Sequence, residues 1–265
     1  MEEYDEADCI GTLVDEWLAH LAPVNEMLLE IVNPQAGEKL LEIDTGTGEV
    51  ALALSEKLAG YAVVVATDSA RARLQVAQRR AAAKGLRNIE FFRMLAHELS
   101  LPNDYFDKAL CQFGVSLFKD PISGLQEIRR VLKPGGYLVF TVWSASADAP
   151  SVIWASEMMK QTAERQDNVP ILHVTSLGRP EVIDQTLQQA GWSVFSIEAQ
   201  CLNISFSSYQ HLWRTLQDCQ FTGPQLRQHG NAAVAEKIST FAEHFHGKDS
   251  LVVPHEYFLV VARKQ

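Results

Sequence analysis

Residues 40–50 read LLEIDTGTGEV: an apolar run meets the acid Asp44, crosses a turn holding Gly46 and Gly48, and enters the helix-forming stretch EVALALSEKLA. Strand, glycine turn and helix in that order open a βαβ unit. Glycine tolerates positive φ and admits close approach of another group. The helix that follows starts with unpaired N–H groups and a partial positive charge, which suit a carboxylate or a phosphate. Asp68 ends the next apolar run, YAVVVATD, about 20 residues beyond the turn, where a carboxylate can accept hydrogen bonds from ribose hydroxyls. Gly46 to Ala51 also satisfies the short dinucleotide-binding pattern with Ala in its last place. The turn alone therefore does not choose among nucleotide ligands, or between these and a glycine turn without a ligand.

The wider chain narrows the choice. Its 265 residues suffice for one large α/β domain, and 47% hydrophobic with 21% charged residues is an ordinary soluble balance. A formal net charge of −10 argues against a nucleic-acid partner, which would want a basic face. No apolar run reaches the roughly 20 residues of a membrane span. The acidic start MEEYDEADC has no basic region of the kind that opens a signal peptide. Cys9, Cys111, Cys201 and Cys219 are widely spaced and read as reduced thiols, so a cytoplasmic protein is expected.

Ahead of the first strand, Ile10, Leu13, Val14, Trp17, Leu18 and Leu21 recur at helical spacing, and Pro23 opens a second helix carrying Val24, Met27, Leu28 and Ile31. These helices, about residues 1–36, are expected to form a lid. Strands are expected at about Lys39 to Ile43, Ala62 to Thr67, Ile89 to Met94, Lys108 to Phe113 and Tyr137 to Trp143. The helix from Glu49 stops at Gly60, and Ser69 is the expected cap of the next, whose outer face carries Arg71, Arg79 and Arg80 toward solvent. A helix from Pro121 ends at the turn LKPGG, residues 132–136. Strand alternating with helix predicts a parallel sheet covered on both faces. Beyond residue 150, helices near Pro180 to Ala190 and Tyr209 to Asp218 alternate with strands near Ser193 to Ile204 and His255 to Ala262. Segments 151–177 and 206–250, the latter with a helix near 232–245, read as cap elements of a single domain.

Three stretches together resemble class I S-adenosylmethionine-dependent methyltransferases, in particular the small-molecule branch that includes the ubiquinone and menaquinone C-methyltransferases. They are LLEIDTGTGEV, VVATDSARARLQVAQRRA and FDKALCQFGVSLFKDPISGLQEIRRVLKPGGYLVFTVW. The likeness covers Leu40 to Trp143 well and the rest loosely; the LKPGG turn before a strand is its most specific part. It implies a Rossmann-like, mostly parallel seven-stranded sheet whose last strand is antiparallel, with S-adenosylmethionine at the strand ends. Glu42, Asp44, Thr45, Gly46 and Gly48 would shape the methionine end of that site. Asp68 would hold the ribose with Ser69 beside it, and Leu95, Ala96 and His97 would flank the adenine. Gln112 and Phe113 would sit near the methyl group. Asp44 stands where the family usually has glycine, and Leu95 where many members have an acid. We expect Asp44 to face the cofactor's ammonium.

The chemistry expected is methyl transfer to carbon or oxygen of a small molecule by in-line displacement, in which the protein mainly aligns the acceptor. The alternatives are a cofactor-binding relative that transfers no methyl group and, third, a nicotinamide-dependent oxidoreductase, although no Tyr-x-x-x-Lys pair of the short-chain dehydrogenase kind is found. His97 reads as an adenine neighbour before a base, with His173 and His211 weaker candidates, so no catalytic base is assigned. His244 and His246, before Gly247, read as helix C-terminal residues and not metal ligands. Trp143, Trp154, Phe206, Tyr209, Trp213 and Phe221 could line an acceptor pocket for an apolar or planar molecule.

Overall fold

The computed structural model describes residues 18–58, 61–145, 176–218 and 250–265. The strands are β1 (Lys39–Ile43), β2 (Val63–Asp68), β3 (Ile89–Arg93), β4 (Phe106–Gln112), β5 (Leu132–Trp143), β6 (Ser193–Phe206) and β7 (Leu251–Arg263). They form one seven-stranded sheet in the order β3-β2-β1-β4-β5-β7-β6. Strands β1 to β5 pair in parallel, and β7 runs antiparallel to both β5 and β6. The helices are α1 (Ala22–Val32), α2 (Glu49–Leu58), α3 (Arg71–Ala83), α4 (Pro121–Val131), α5 (Pro180–Gln189) and α6 (Tyr209–Asp218). The expected sheet, with its antiparallel last strand, is present. The expected helix over Ile10 to Trp17, Gly60, most of segments 151–177 and 206–250, and His173, His244 and His246 lie outside the described residues.

Successive side chains of a strand point to opposite faces, and here both faces are apolar. Leu40, Val64, Leu110 and Val139 meet Leu28 of α1, Leu54 of α2 and Leu212 of α6. Leu41, Val65, Ala109 and Phe140 meet Leu125 and Ile128 of α4 and Leu187 of α5. This two-sided burial explains why the central strands read as unbroken apolar runs. Helix α1 buries Val24, Leu28 and Val32, each such side chain contributing about 1.5–3 kcal/mol. Its ends are fixed to different levels of the sheet. Tyr137, near the start of the regular part of β5, donates to the Val32 carbonyl at 2.7 Å, and Gln112, at the end of β4, donates to the Asn25 side chain. Helix α1 therefore runs antiparallel to β1–β5, with its amino-terminal part at the carboxyl ends of those strands. Among the described residues no helix is long and apolar enough to cross a membrane.

One expectation is corrected. The LKPGG segment is not a free turn preceding strand five, because β5 begins at Leu132. Phe106 pairs with Leu132 and Lys108 with Tyr137, so the segment bulges out opposite Asp107. Asp107 accepts from Lys133 Nζ at 2.5 Å and from the Lys39 N–H at 2.8 Å. One carboxylate thus holds β1, β4 and the bulge of β5 in register, and Lys133 holds it below its ordinary pKa, although burial acts the other way.

The two glycines of the first turn carry different loads. Both have positive φ, +59° at Gly46 and +91° at Gly48. A Cβ on Gly46 meets nothing within 4 Å, whereas one on Gly48 would stand 2.9 Å from the Ala77 Cβ of α3. Gly46→Ala should cost about 1–2 kcal/mol from left-handed strain alone. Gly48→Ala should cost about 1–3 kcal/mol more from overpacking. Denaturant unfolding of the two variants checks the order, which equal losses would contradict.

Candidate functional site

The carboxyl end of β1 delivers Glu42 into the core and Asp44 into the turn, and the carboxyl end of β2 delivers Asp68 beside them. Asp44 adopts φ +57°, a conformation aspartate tolerates better than most residues. The turn is braced from below. The Thr45 N–H donates to the Thr67 carbonyl at 2.9 Å, and the Thr45 hydroxyl donates to Glu42 Oε2 at 2.5 Å. Glu42 is buried. Burial pushes its pKa up to about 8, against the Thr45 hydrogen bond and with help from Glu49 and Asp44.

Asp68 closes the turn from the side. Its Oδ2 accepts from the Gly46 N–H at 2.9 Å and its Oδ1 from the Ala70 N–H at 2.7 Å. Arg73 Nη2 lies 3.2 Å from Oδ1, and the Asp68 side chain has no exposed surface. The Ser69 cap expected on α3 is not made: the helix begins at Arg71, its N-cap is Ala70, and no side chain caps it there. The Asp68 carboxylate instead holds the Ala70 N–H, one residue ahead of the helix. Asp44 lies between this group and β4. A Cβ placed on Gly114 would be 2.6 Å from Asp44 Oδ2 and 2.7 Å from Cys111 Sγ, and Arg73 Nη2 is 3.8 Å from Asp44 Oδ1. Burial first, and the neighbouring Asp68 second, push Asp44 up to about 7, with Arg73 opposing.

Arg73 and Arg80 depart from the sequence reading. Arg80, expected to face solvent, turns inward to pair with Glu49 and donates to the Thr47 carbonyl at 3.3 Å. Arg73 was not singled out at all. Its one signal was its place in the first turn of α3, five residues beyond Asp68, within reach of the end of β2.

The acceptor side lies at the ends of β4 and β5. Phe113 has φ +56°; its N–H donates to the carbonyl and to the hydroxyl of Thr141, both at 3.1 Å. This turns its ring onto Trp143, with centroids 3.8 Å apart and planes 3° apart. Tyr257 packs edge-on against both rings, and His255 edge-on against Trp143. Burial lowers the His255 pKa to about 4, with the Val253 carbonyl opposing, so its ring is neutral at pH 7. Phe206, Tyr209 and Trp213 pack into the same apolar layer. Gln112 is held by Asn25 of α1. Leu95, Ala96 and His97 form the turn after β3, and Leu95 is exposed. The structure thus gathers Glu42, Asp44, Thr45, Gly46, Gly48, Asp68 and Ser69 about one turn. Gln112 and Phe113 stand at the neighbouring strand end and Leu95 to His97 on the β3 side. Among the described residues no group of His, Cys, Asp and Glu could hold a metal ion.

The Glu42 shift carries a stability consequence. The folded chain holds a proton on Glu42 that the unfolded chain loses above its ordinary value of 4.5. Stability should therefore fall as pH rises from there through about 8. Glu42→Gln removes that loss, so its stability relative to wild type should increase from pH 5 to pH 8. Thermal unfolding across that range is the check, and a pH-independent difference would contradict the assignment.

The described geometry has close counterparts. A Bacillus halodurans protein superimposes with a TM-score of 0.63 at 21% identity, covering 91% of this chain and 98% of that one. The [4+2]-cyclase SpnF does so with a TM-score of 0.60 at 20% identity, over 91% and 80%. At such identities these likenesses establish the fold. In sequence, the ubiquinone/menaquinone biosynthesis C-methyltransferase UbiE of Coxiella burnetii (strain Dugway 5J108-111) is 34% identical over 117 residues, 44% of this chain and 47% of that protein. The chain spans about half the length of the curated relatives it matches. The model of the ubiE/COQ5 methyltransferase family matches residues 20–162, more than half of the chain and all of the glycine turn, the Asp68 strand end and the LKPGG bulge. With fold, turn and sequence in agreement, this chain belongs to the ubiE/COQ5 methyltransferase family.

Proposed function

We propose that the protein binds S-adenosylmethionine at the carboxyl ends of β1, β2 and β4 and transfers its methyl group to a small, planar, quinone-type ring. One observation carries the reading: three carboxyl groups, Glu42, Asp44 and Asp68, meet at a glycine turn that is open above Gly46. Two of them are held well above their ordinary pKa values. Such a place favours a ligand bearing positive charge, and the methyl donor bears both a sulfonium and an ammonium.

When bound, the donor supplies an already activated methyl group. The chain's part is binding and alignment, which can supply roughly 7–11 kcal/mol of barrier reduction in favourable cases. Asp68 would hold the ribose hydroxyls, Glu42 and Asp44 the cationic end, and the turn of Leu95, Ala96 and His97 the adenine edge. Gln112 and Phe113 stand where the acceptor would approach. The parallel Phe113 and Trp143 rings offer a flat apolar wall for an aromatic acceptor. The family relatives named as ubiquinone and menaquinone methyltransferases support a quinone-type ring.

Asp68→Ala should weaken S-adenosylmethionine binding by about 1.5–3 kcal/mol, the range for hydrogen bonds to a charged group. Calorimetry measures it, and unchanged affinity would remove Asp68 from the site. Incubation with S-adenosylmethionine and a demethylated menaquinol-type acceptor should add one methyl group by mass spectrometry. Tight binding of NAD in place of S-adenosylmethionine would overturn the proposal.

A further inference from the structure

A polar cleft of about 440 Å³ lies at the edge of the sheet opposite the glycine turn, where β4 and the regular part of β5 begin and β7 ends. The carboxyl ends of α4 and α5 flank it, with Arg129 and Arg130 on the first and Gly191 just beyond the second. Asp104 enters ahead of β4, and Lys264 follows β7. The three cations of the cleft are not equivalent. Arg130 is spent: it donates to both oxygens of Glu127, to the Leu99 and Leu101 carbonyls and to the Asn103 side-chain oxygen. Lys264 Nζ donates to Asp104 Oδ1 and to the Leu132 carbonyl, each at 2.6 Å. Arg129 makes no hydrogen bond or ion pair with any described residue, and its Nε is buried without a partner.

The contrast between the two arginines begins in the sequence. Arg130 has Glu127 three residues before it on α4, within side-chain reach; Arg129 has the neutral Gln126 at the same spacing. The carboxyl ends of two helices favour a cation here, but they leave the hydrogen-bond donors of Arg129 unused, and a donor shut away from water without a partner is unfavourable. The side chain lies along the turn after α5, where a Cβ on Gly191 would stand 3.6 Å from its Nε. Glu127 balances Arg130 and Asp104 balances Lys264. The charge of Arg129 is thus left uncompensated, in a chain whose formal net charge is −10.

We propose that this cleft binds a small molecule through a phosphate group, with Arg129 as the principal ligand. The planar guanidinium matches two phosphate oxygens at once. A phosphate group also carries more charge and more acceptor oxygens than a carboxylate, and the one acid lining the cleft is already held by Lys264. The site stands at the far edge of the sheet from the glycine turn, and it does not depend on the cofactor reading given above.

The test is calorimetric titration of the full chain with inorganic phosphate at constant ionic strength, and with acetate as the carboxylate comparison. Wild type should bind phosphate saturably, and acetate at least about tenfold more weakly. Arg129→Met should weaken phosphate binding by at least about tenfold, and Arg129→Lys by less. Gln126→Glu, at an exposed position, keeps the arginine but gives it a carboxylate at the spacing Glu127 has to Arg130; it should weaken phosphate binding by a similar factor. No saturable phosphate binding to wild type would overturn the inference. So would phosphate affinity unchanged in Arg129→Met and Gln126→Glu, which would put the anion elsewhere, and so would acetate binding as tightly as phosphate. Thermal unfolding without ligand shows whether each variant is folded; should Arg129→Met not fold, Gln126→Glu decides.

Discussion

Three carboxyl groups are gathered at the ends of two adjacent parallel strands, and the fold has to hold them there with little help from water. Removing a carboxylate from water is unfavourable unless it is protonated, paired or hydrogen-bonded. The structure uses all three remedies. Glu42 is driven toward its protonated form and is held by Thr45. Asp68 is hydrogen-bonded by two backbone N–H groups. Arg73 pairs with Asp68 and lies within reach of Asp44. Because Asp68 also ties the glycine turn to the start of α3, the loops after β1 and β2 form one unit and their geometry is set together.

The same constraint reaches the acceptor side. Asp44 and Phe113 are both non-glycine residues in the left-handed region, a conformation that costs about 1–3 kcal/mol and clusters at functional sites. They are neighbours through Gly114, where any larger side chain would strike the Asp44 carboxyl. Turning the chain at Phe113 lays its ring flat on Trp143. The acidic turn and the aromatic wall therefore share one junction at the end of β4. Below that junction lies a two-sided apolar sheet, with α1 tied across it by Tyr137 and Gln112.

Much of this was legible in the sequence, for identifiable reasons. The apolar runs at β1, β2 and β4 signalled two-sided burial, and Gly46 and Gly48 signalled a turn with positive φ. Pro121 marked the start of α4, and the structure adds a cap that was not read, the Asp120 side chain accepting from the Ser123 N–H. What escaped depended on long side chains and on register. Helical periodicity assigns a face to a Cα, but the guanidiniums of Arg73 and Arg80 reach back over the helix end to the turn. Local turn chemistry marked LKPGG as a loop, but Asp107, held by Lys133 and Lys39, draws that segment into the sheet as a bulge. Ser69 had the composition of a cap, but α3 begins two residues later, with Ala70 at its N-cap.

The central claim is that a cationic adenosyl ligand sits on this acidic turn. A crystal structure of the protein grown with saturating S-adenosylmethionine tests it most directly. The account predicts ribose hydroxyls within hydrogen-bonding distance of Asp68 and the methionine end beside Asp44 and Glu42. Adenosyl density elsewhere, or no ligand on the turn, would contradict it.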